Sequence, residues 1–487
     1  MTTPAHNPPA GPPAFAAIRT VGRCMPAWLW VVLMWAAMHL PFAAVPEARS
    51  EEGRRGMMAR AMLEDGNWID ITICGERYIK KPPMLPWLIA LSARAVGSLN
   101  EWALRLPTLL SMLAAGLAVF AYTRRYLPDR PALFAAAVFY LTPLVVEKAR
   151  IGETDPIVMA CSFGAFAAWH ALLDRRPRGI GAWLAAGIIL AVGAMAKGPP
   201  AIMFFVLGVL VWIVWQRQYS HLPKLLLTAA IALAGPFAWA AAVQAPGDAN
   251  VWQREMFQRA AFRFGPYLAN QARFAAAAAG GCLPWLIMAM PVLLAGWRKR
   301  RLHQPGTAPP EPLLLAYVGA ATLLLLVFPG AQARYALPAA PALAVAAALR
   351  FQQLSTRRSK AIPLIAAVVA LGIAARIVVP AVLPYPHHNR SAARQVEQAV
   401  SPGETIYKLT PGLMNVAFYI NRRVIQLSPE EFQHTAREGV VLLYEGDEEQ
   451  VARQLKLETV LRVSMDDGRK NRSLLLARTA GLLDEDP

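Results

Sequence analysis

Apolar runs of about bilayer length recur through most of this chain, and they constrain its fold more than any other feature. The first extends from Pro26 to Val45, after Arg19 and Arg23, and is close to the ~20 residues a helix needs to span a bilayer. Others follow at 103–122, 131–147, 156–173, 180–196, 198–216, 224–244, 272–297, 312–328, 335–350 and 361–384, eleven in all. The chain is 56% hydrophobic and only 16% charged, against about a quarter charged for ordinary soluble domains. The expectation is a polytopic α-helical membrane protein. The first run is read as a retained span rather than a signal peptide, because it exceeds a usual signal core and other runs follow it. Residues 1–25, rich in Pro and Ala, are read as a disordered cytoplasmic tail.

The stretch 84–97 is short for a span, and the positive-inside bias decides its placement. If it lies along the interface, every second loop is basic: Arg124–Arg125, Arg175–Arg176 with Arg178, Arg217 with Lys224, Arg298–Arg301, and Arg357–Arg358 with Lys360. Counting it as a span throws these loops out of phase. It is therefore read as an interfacial amphipathic helix in a first outer loop covering 46–102. Of the sixteen Asp and Glu before residue 386, only Asp129, Asp174 and Glu311 then face inward. The outer face is where polar chemistry collects.

From about 386 the texture changes. IYKL, VAFYI and VVLLY read as strands, and EEFQHTARE and DEEQVARQLK as helices. Fifteen acidic and thirteen basic residues leave this part slightly negative, although the whole chain carries +18. The expectation is a small soluble α/β domain over 386–487, on the outer side of a membrane domain over 26–385. Four scattered cysteines suggest neither a disulfide framework nor a zinc site.

The outer loops supply candidate chemistry. Glu51 and Glu52 open a helical stretch whose apolar face includes Met57, Met58, Ala61 and Met62; acids at a helix start also simply suit its dipole. Glu153 and Asp155 precede Pro156 and a new run, where they either cap a helix or activate a hydroxyl. Lys197 stands before a Gly-Pro turn, and Arg334 and Tyr335 stand at another outer boundary; each has an ordinary reading as an interfacial anchor. Lys80 and Lys81, ahead of Pro82 and Pro83, sit at headgroup depth if the prolines launch the interfacial helix. Taken together, with Arg54 beside Glu51, they make one rim of acids and cations suited to a phosphate head with a hydrocarbon tail.

The ordered motifs SEEGRR…AMLEDGNW, ERYIKKPPMLPWLIALS, NEWALRLPT, ARIGETDP, MAKGPPA and ARYALPAAP resemble those of the bacterial integral-membrane GT-C glycosyltransferases. That family includes the lipid A aminoarabinose transferases and, more distantly, the protein O-mannosyltransferases. The resemblance covers about residues 26–350. It implies a GT-C fold of about 11–13 spans in the inner membrane. It also implies transfer of a sugar from a polyprenyl-phosphate carrier to lipid A or another envelope acceptor on the periplasmic face.

By the same resemblance Glu51 and Asp155 hold the acidic positions, with Glu52 and Glu153 as further catalytic candidates. Lys81, Lys80, Arg334, Tyr335, Lys197 and Arg54 become substrate-binding candidates. Two departures stand out. Relatives usually carry Asp where Glu51 stands, and often read Glu-Lys-Pro-Pro where this chain has Lys80-Lys81-Pro82-Pro83. The second leaves a divalent metal cofactor open. A protein acceptor is the alternative within the enzyme class. A flippase, which should show inverted repeats and midplane charge, and a non-catalytic scaffold are the alternatives outside it.

Overall fold

A computed structural model describes residues 25–41, 43–49, 51–177, 179–244, 264–299, 310–357, 361–382, 388–410, 412–435, 439–466 and 471–482. The expected N-terminal tail and parts of the basic loops at 178, 300–301 and 358–360 lie outside these residues.

The chain begins with α1 (Ala27–His39) and the first-loop elements α2 (Glu52–Asp65), β1 (Thr72–Ile73), β2 (Glu76–Arg77) and α3 (Met84–Val96). The bundle helices follow: α4 (Glu101–Arg124), α5 (Asp129–Leu141), α6 (Pro143–Lys148), α7 (Asp155–Arg175), α8 (Gly181–Lys197), α9 (Met203–Gln216) and α10 (Leu222–Val243). After them come α11 (Phe264–Cys282), α12 (Trp285–Lys299), α13 (Glu311–Val327), α14 (Ala339–Thr356) and α15 (Ala361–Val382).

Two first-loop helices end as their sequences dictate. Gly66 and Gly97 take the left-handed conformation, φ 72° and 83°, and stop α2 and α3. Helix α3 occupies the stretch read as interfacial, starting directly after Pro82 and Pro83 and burying Leu85, Ile89, Ala90 and Ala93 while Leu91 stays exposed.

The apolar runs fold into helices of uneven length, several of them apolar but no longer than 17 residues, such as Gly181–Lys197 and Glu311–Val327. Among the described residues, Glu101–Arg124, Asp155–Arg175, Pro199–Gln216 and Tyr219–Val243 are long and apolar enough to cross a membrane. A bent pair, Tyr267–Cys282 with Trp285–Arg298, makes a fifth if taken as one span. Proline breaks two of the runs. Thr142, held extended before Pro143, splits the run at 131–147 into α5 and α6. The run at 272–297 breaks ahead of Trp285, where Pro284 stands, and its halves bend by 99°. Helix α1 covers thirteen residues and stops at His39, short of the expected Val45.

Close helix approach depends on small residues, as it does in membrane bundles generally. The α14 face from Ala339 to Ala348 is buried throughout. A Cβ on Gly208 of α9 would lie 2.6 Å from the Tyr317 backbone of α13, so only glycine lets these helices meet.

The C-terminal part holds α16 (His388–Ala399), β3 (Ile406–Lys408), α17 (Met414–Tyr419), β4 (Val424–Gln426), α18 (Pro429–Thr435), β5 (Val440–Tyr444), α19 (Glu448–Ala452), β6 (Leu455–Asp466) and β7 (Asn471–Leu482). Its sheet runs β4-β3-β5-β7-β6, with β3 parallel to β4 and β5 and the other pairs antiparallel. VAFYI, expected as a strand, forms the last turns of α17. The Ala417 amide donates to the Leu413 carbonyl at 2.8 Å and the Ile420 amide to the Val416 carbonyl at 3.2 Å, the four-residue spacing of a helix. DEEQVARQLK is helical only to Ala452 and then enters β6.

This domain does not hang free. It shares one apolar core with the first loop, where Met58, Met62 and Ile89 join Val416, Phe418 and Leu442. Gly53 and Gly56 of α2 face α17; a Cβ on Gly53 would meet the Met414 carbonyl at 2.5 Å. Arg60 donates to the Phe418 and Ile420 carbonyls at 2.7 and 2.8 Å. Tyr419 donates to Glu101 at 2.5 Å and accepts from the Ala48 amide at 2.7 Å, and Arg390 pairs with the same Glu101.

Candidate active site

Helix α7 begins at Asp155 and α8 ends at Lys197, so two antiparallel neighbours present an acid at a helix start and a cation at a helix end. Both placements suit the helix dipoles. The two side chains form a mostly buried ion pair, 7% and 15% exposed. Lys197 Nζ also lies 4.4 Å from the centre of the Tyr335 ring, and the Arg334 guanidinium lies 5.8 Å from that ring. Tyr335 thus sits against two cations. The Arg334 Nε is buried without a hydrogen-bond partner.

Lys81 joins this rim from the first loop. Burial pushes its ammonium down to about 8, and the positive charges of Arg55, Lys197 and Arg334 act the same way, against the opposing carboxylate of Glu51. Loops far apart in sequence therefore share one electrostatic neighbourhood. Lys80 is exposed and makes no ion pair among the described residues.

The carboxylates divide by role. Glu51, just before α2, pairs at 3.1 Å with Arg54, both sides roughly two-fifths exposed. Such a pair holds weakly and is free to be exchanged. Glu52 is fully buried. Its oxygens accept from Arg105 Nε at 2.8 Å, Arg105 Nη2 at 2.9 Å, the Gly152 amide at 2.8 Å and the Arg49 amide at 3.0 Å. This corrects the expectation that Glu52 shares the work of Glu51. Its lone pairs are committed, and it ties the first loop to α4 and to the turn that carries Asp155.

Glu153 pairs with Lys148, whose Nζ lies 3.4 Å from a buried Oε2. Its backbone is held by Thr108 at 3.3 and 3.4 Å. Arg55, Arg105 and Lys148 were not among the residues singled out from the sequence. Arg105 stands inside the NEWALRLPT motif, which was the available signal; nothing local distinguishes Arg55 from Arg54.

No group of three or more His, Cys, Asp or Glu side chains is placed to hold a metal ion among the described residues. The rim's acids face cations instead: Asp155 faces Lys197, Glu51 faces Arg54, and Glu153 faces Lys148. This donor set does not fit a divalent ion.

Residues 80–239 match the family described as dolichyl-phosphate-mannose-protein mannosyltransferase. The chain is 29% identical over 262 residues to an undecaprenyl phosphate-alpha-4-amino-4-deoxy-L-arabinose arabinosyl transferase of Pseudomonas aeruginosa, a match covering 52% of this chain and 47% of that protein. It is 27% identical over 369 residues to the transferase of the same name from Erwinia tasmaniensis, covering 72% of this chain and 64% of the relative. The matched region spans about half the length of the first of these relatives. In fold, the chain superposes on ArnT from Cupriavidus metallidurans, solved bound to undecaprenyl phosphate. The TM-score is 0.70 at 17% identity, over 92% of this chain and 97% of that one.

Proposed function

We propose, for a chain with the GT-C membrane glycosyltransferase fold and motifs similar to the aminoarabinose transferases, that it moves a sugar from a polyprenyl-phosphate carrier to an envelope acceptor, lipid A first among them. The observation that carries this reading is the packing of Lys197 and Arg334 around Asp155 and Tyr335, with Lys81 within reach of the charges of Lys197 and Arg334. The basic loops at the opposite ends of these helices support an inner-membrane protein with the rim and the C-terminal domain in the periplasm.

The cations hold the lipid-linked phosphate and offset the charge that grows on it as the glycosyl bond breaks. The acceptor oxygen supplies the electron pair for the new bond to the anomeric carbon, and the pair of the old bond departs on the phosphate oxygen. A hydroxyl acceptor gives its proton to Asp155 or Glu51. An acceptor phosphate is already ionised and needs only to be positioned. Glu52 and Arg105 hold the first loop against the Asp155 turn.

Reconstituting the full chain in vesicles with a polyprenyl-phosphate aminoarabinose and lipid A tests the reading by mass spectrometry. Lipid A should gain one sugar, and Asp155→Asn should slow the gain by roughly 10- to 100-fold. A second reading, with a protein hydroxyl as acceptor, is favoured by the mannosyltransferase match over 80–239. Sugar appearing on protein while lipid A stays unmodified would select it.

A pH dependence follows from Lys81. From about pH 7, where an isoprenyl phosphate is already a dianion, up to about 8 the free site holds its ammonium, so affinity is flat. Above that pH the free site loses the proton and binding must recover it, so affinity falls as pH rises. Titration calorimetry carried from neutral pH to above about 8 should show that fall, and Lys81→Arg, charged throughout, should remove it.

A further inference from the structure

Arg55 lies on the buried face of α2 and is 4% exposed. Among the described residues its one hydrogen bond goes to the Met58 thioether at 3.8 Å, and its guanidinium lies 5.9 Å from the centre of the Tyr78 ring. A guanidinium carries five donors and stays charged, and a thioether with a ring edge or face satisfies little of that. A cation buried this way calls for an anion.

The surrounding charges do not supply one. Asp155 serves Lys197, Glu51 serves Arg54, and Glu52 serves Arg105. Arg55, Lys81 and Arg334 are left as cations without a carboxylate partner among the described residues, and Arg334 Nε is buried with no acceptor at all. The Tyr78 ring that Arg55 lies against belongs to the segment leading into Lys81, three residues on, which places Arg55 beside the rim, and its charge acts on Lys81.

We propose that Arg55 makes this site prefer a phosphate monoester dianion to a phosphodiester monoanion, so that the spent carrier is held more tightly than the sugar-bearing donor. The inference rests on the lipid-phosphate reading above. The donor phosphate, a diester, carries one negative charge. When the anomeric C–O bond breaks and its electron pair stays on the phosphate oxygen, the product is a monoester, whose second ionisation lies near pH ~6. Its charge therefore doubles at neutral pH. Three uncompensated cations reward that increase, and Arg55 is the most deeply buried of them. The same excess slows release of the spent carrier, making it a product inhibitor.

The test uses the full chain in detergent with two probes, farnesyl monophosphate and its methyl diester, measured by calorimetry at neutral pH. The monoester should bind on the order of tenfold more tightly. Arg55→Met should bring the two affinities close together, and Arg55→Lys, which restores charge, should keep most of the preference. Equal binding of both probes to the unmodified protein overturns the inference and leaves the lipid-phosphate reading standing, as does a preference that survives Arg55→Met. Binding of neither probe overturns the reading itself and the inference with it.

Discussion

Lys81→Ala is expected to lower transfer by on the order of 10²- to 10³-fold while the protein stays folded. Lys81 approaches the rim from a loop, half-buried, and no carboxylate depends on it as a partner among the described residues. Truncating it therefore strands no buried anion, and the fold keeps its ties through α2 and α3. What is lost is a positive charge in a site where burial strengthens every electrostatic contact. Because the phosphate gains charge only as the bond breaks, the loss should appear in kcat as well as in KM. Initial rates with a polyprenyl-phosphate donor, alongside the thermal unfolding midpoint, separate the two effects. A variant that retains a third or more of its activity would show that Lys81 is a headgroup anchor and not part of the clamp.

Arg105→Leu should cost the fold about 3–5 kcal/mol, the range for removing one partner of a buried ion pair. Glu52 and Arg105 are 0% and 1% exposed, and no solvent reaches them to screen the charge left behind. Arg105 also donates to the carbonyls of Ala43, Pro46 and Glu47 at 2.8, 2.9 and 3.0 Å, so the segment ahead of α2 loses its anchor too. Since Glu52 also holds the Gly152 amide, the turn bearing Asp155 should loosen and transfer should fall with stability. Combining Arg105→Leu with Glu52→Leu should recover much of the loss, because no lone charge then remains buried. Denaturation of the solubilised variants measures both. A single variant within about 0.5 kcal/mol of the unmodified protein would mean that the pair is not the tie described here.

Several features were legible because they are written locally. Prolines and glycines mark where α3 starts and where α2 and α3 stop, and acidic residues mark the starts of α2 and α7. The same punctuation was underread elsewhere. Thr142-Pro143 and Leu283-Pro284 break runs whose hydropathy is continuous, because hydropathy reports solvent preference and not backbone path. VAFYI failed for a different reason. Five apolar residues suit a strand or a helix equally, and the glycines of α2, more than 350 positions away, supply the close surface that selects the helix.

The amino-acid sequence by itself determined that this chain is a membrane protein with charged residues gathered in its loops, that mixed strand and helix patterns follow, and which family its motifs resemble. Each of these depends on composition and spacing along the chain. Only the tertiary structure decided what each charged residue does. Glu51 and Glu52 are neighbours of one chemistry, yet one meets Arg54 at the surface and the other meets Arg105, 53 residues on, and Gly152, 100 residues on. Arg54 and Arg55 diverge in the same way, one at the surface with a carboxylate and the other buried without one. The physical reason is that a charge takes its role from the desolvation and counter-charge around it, and folding sets both by bringing distant segments together.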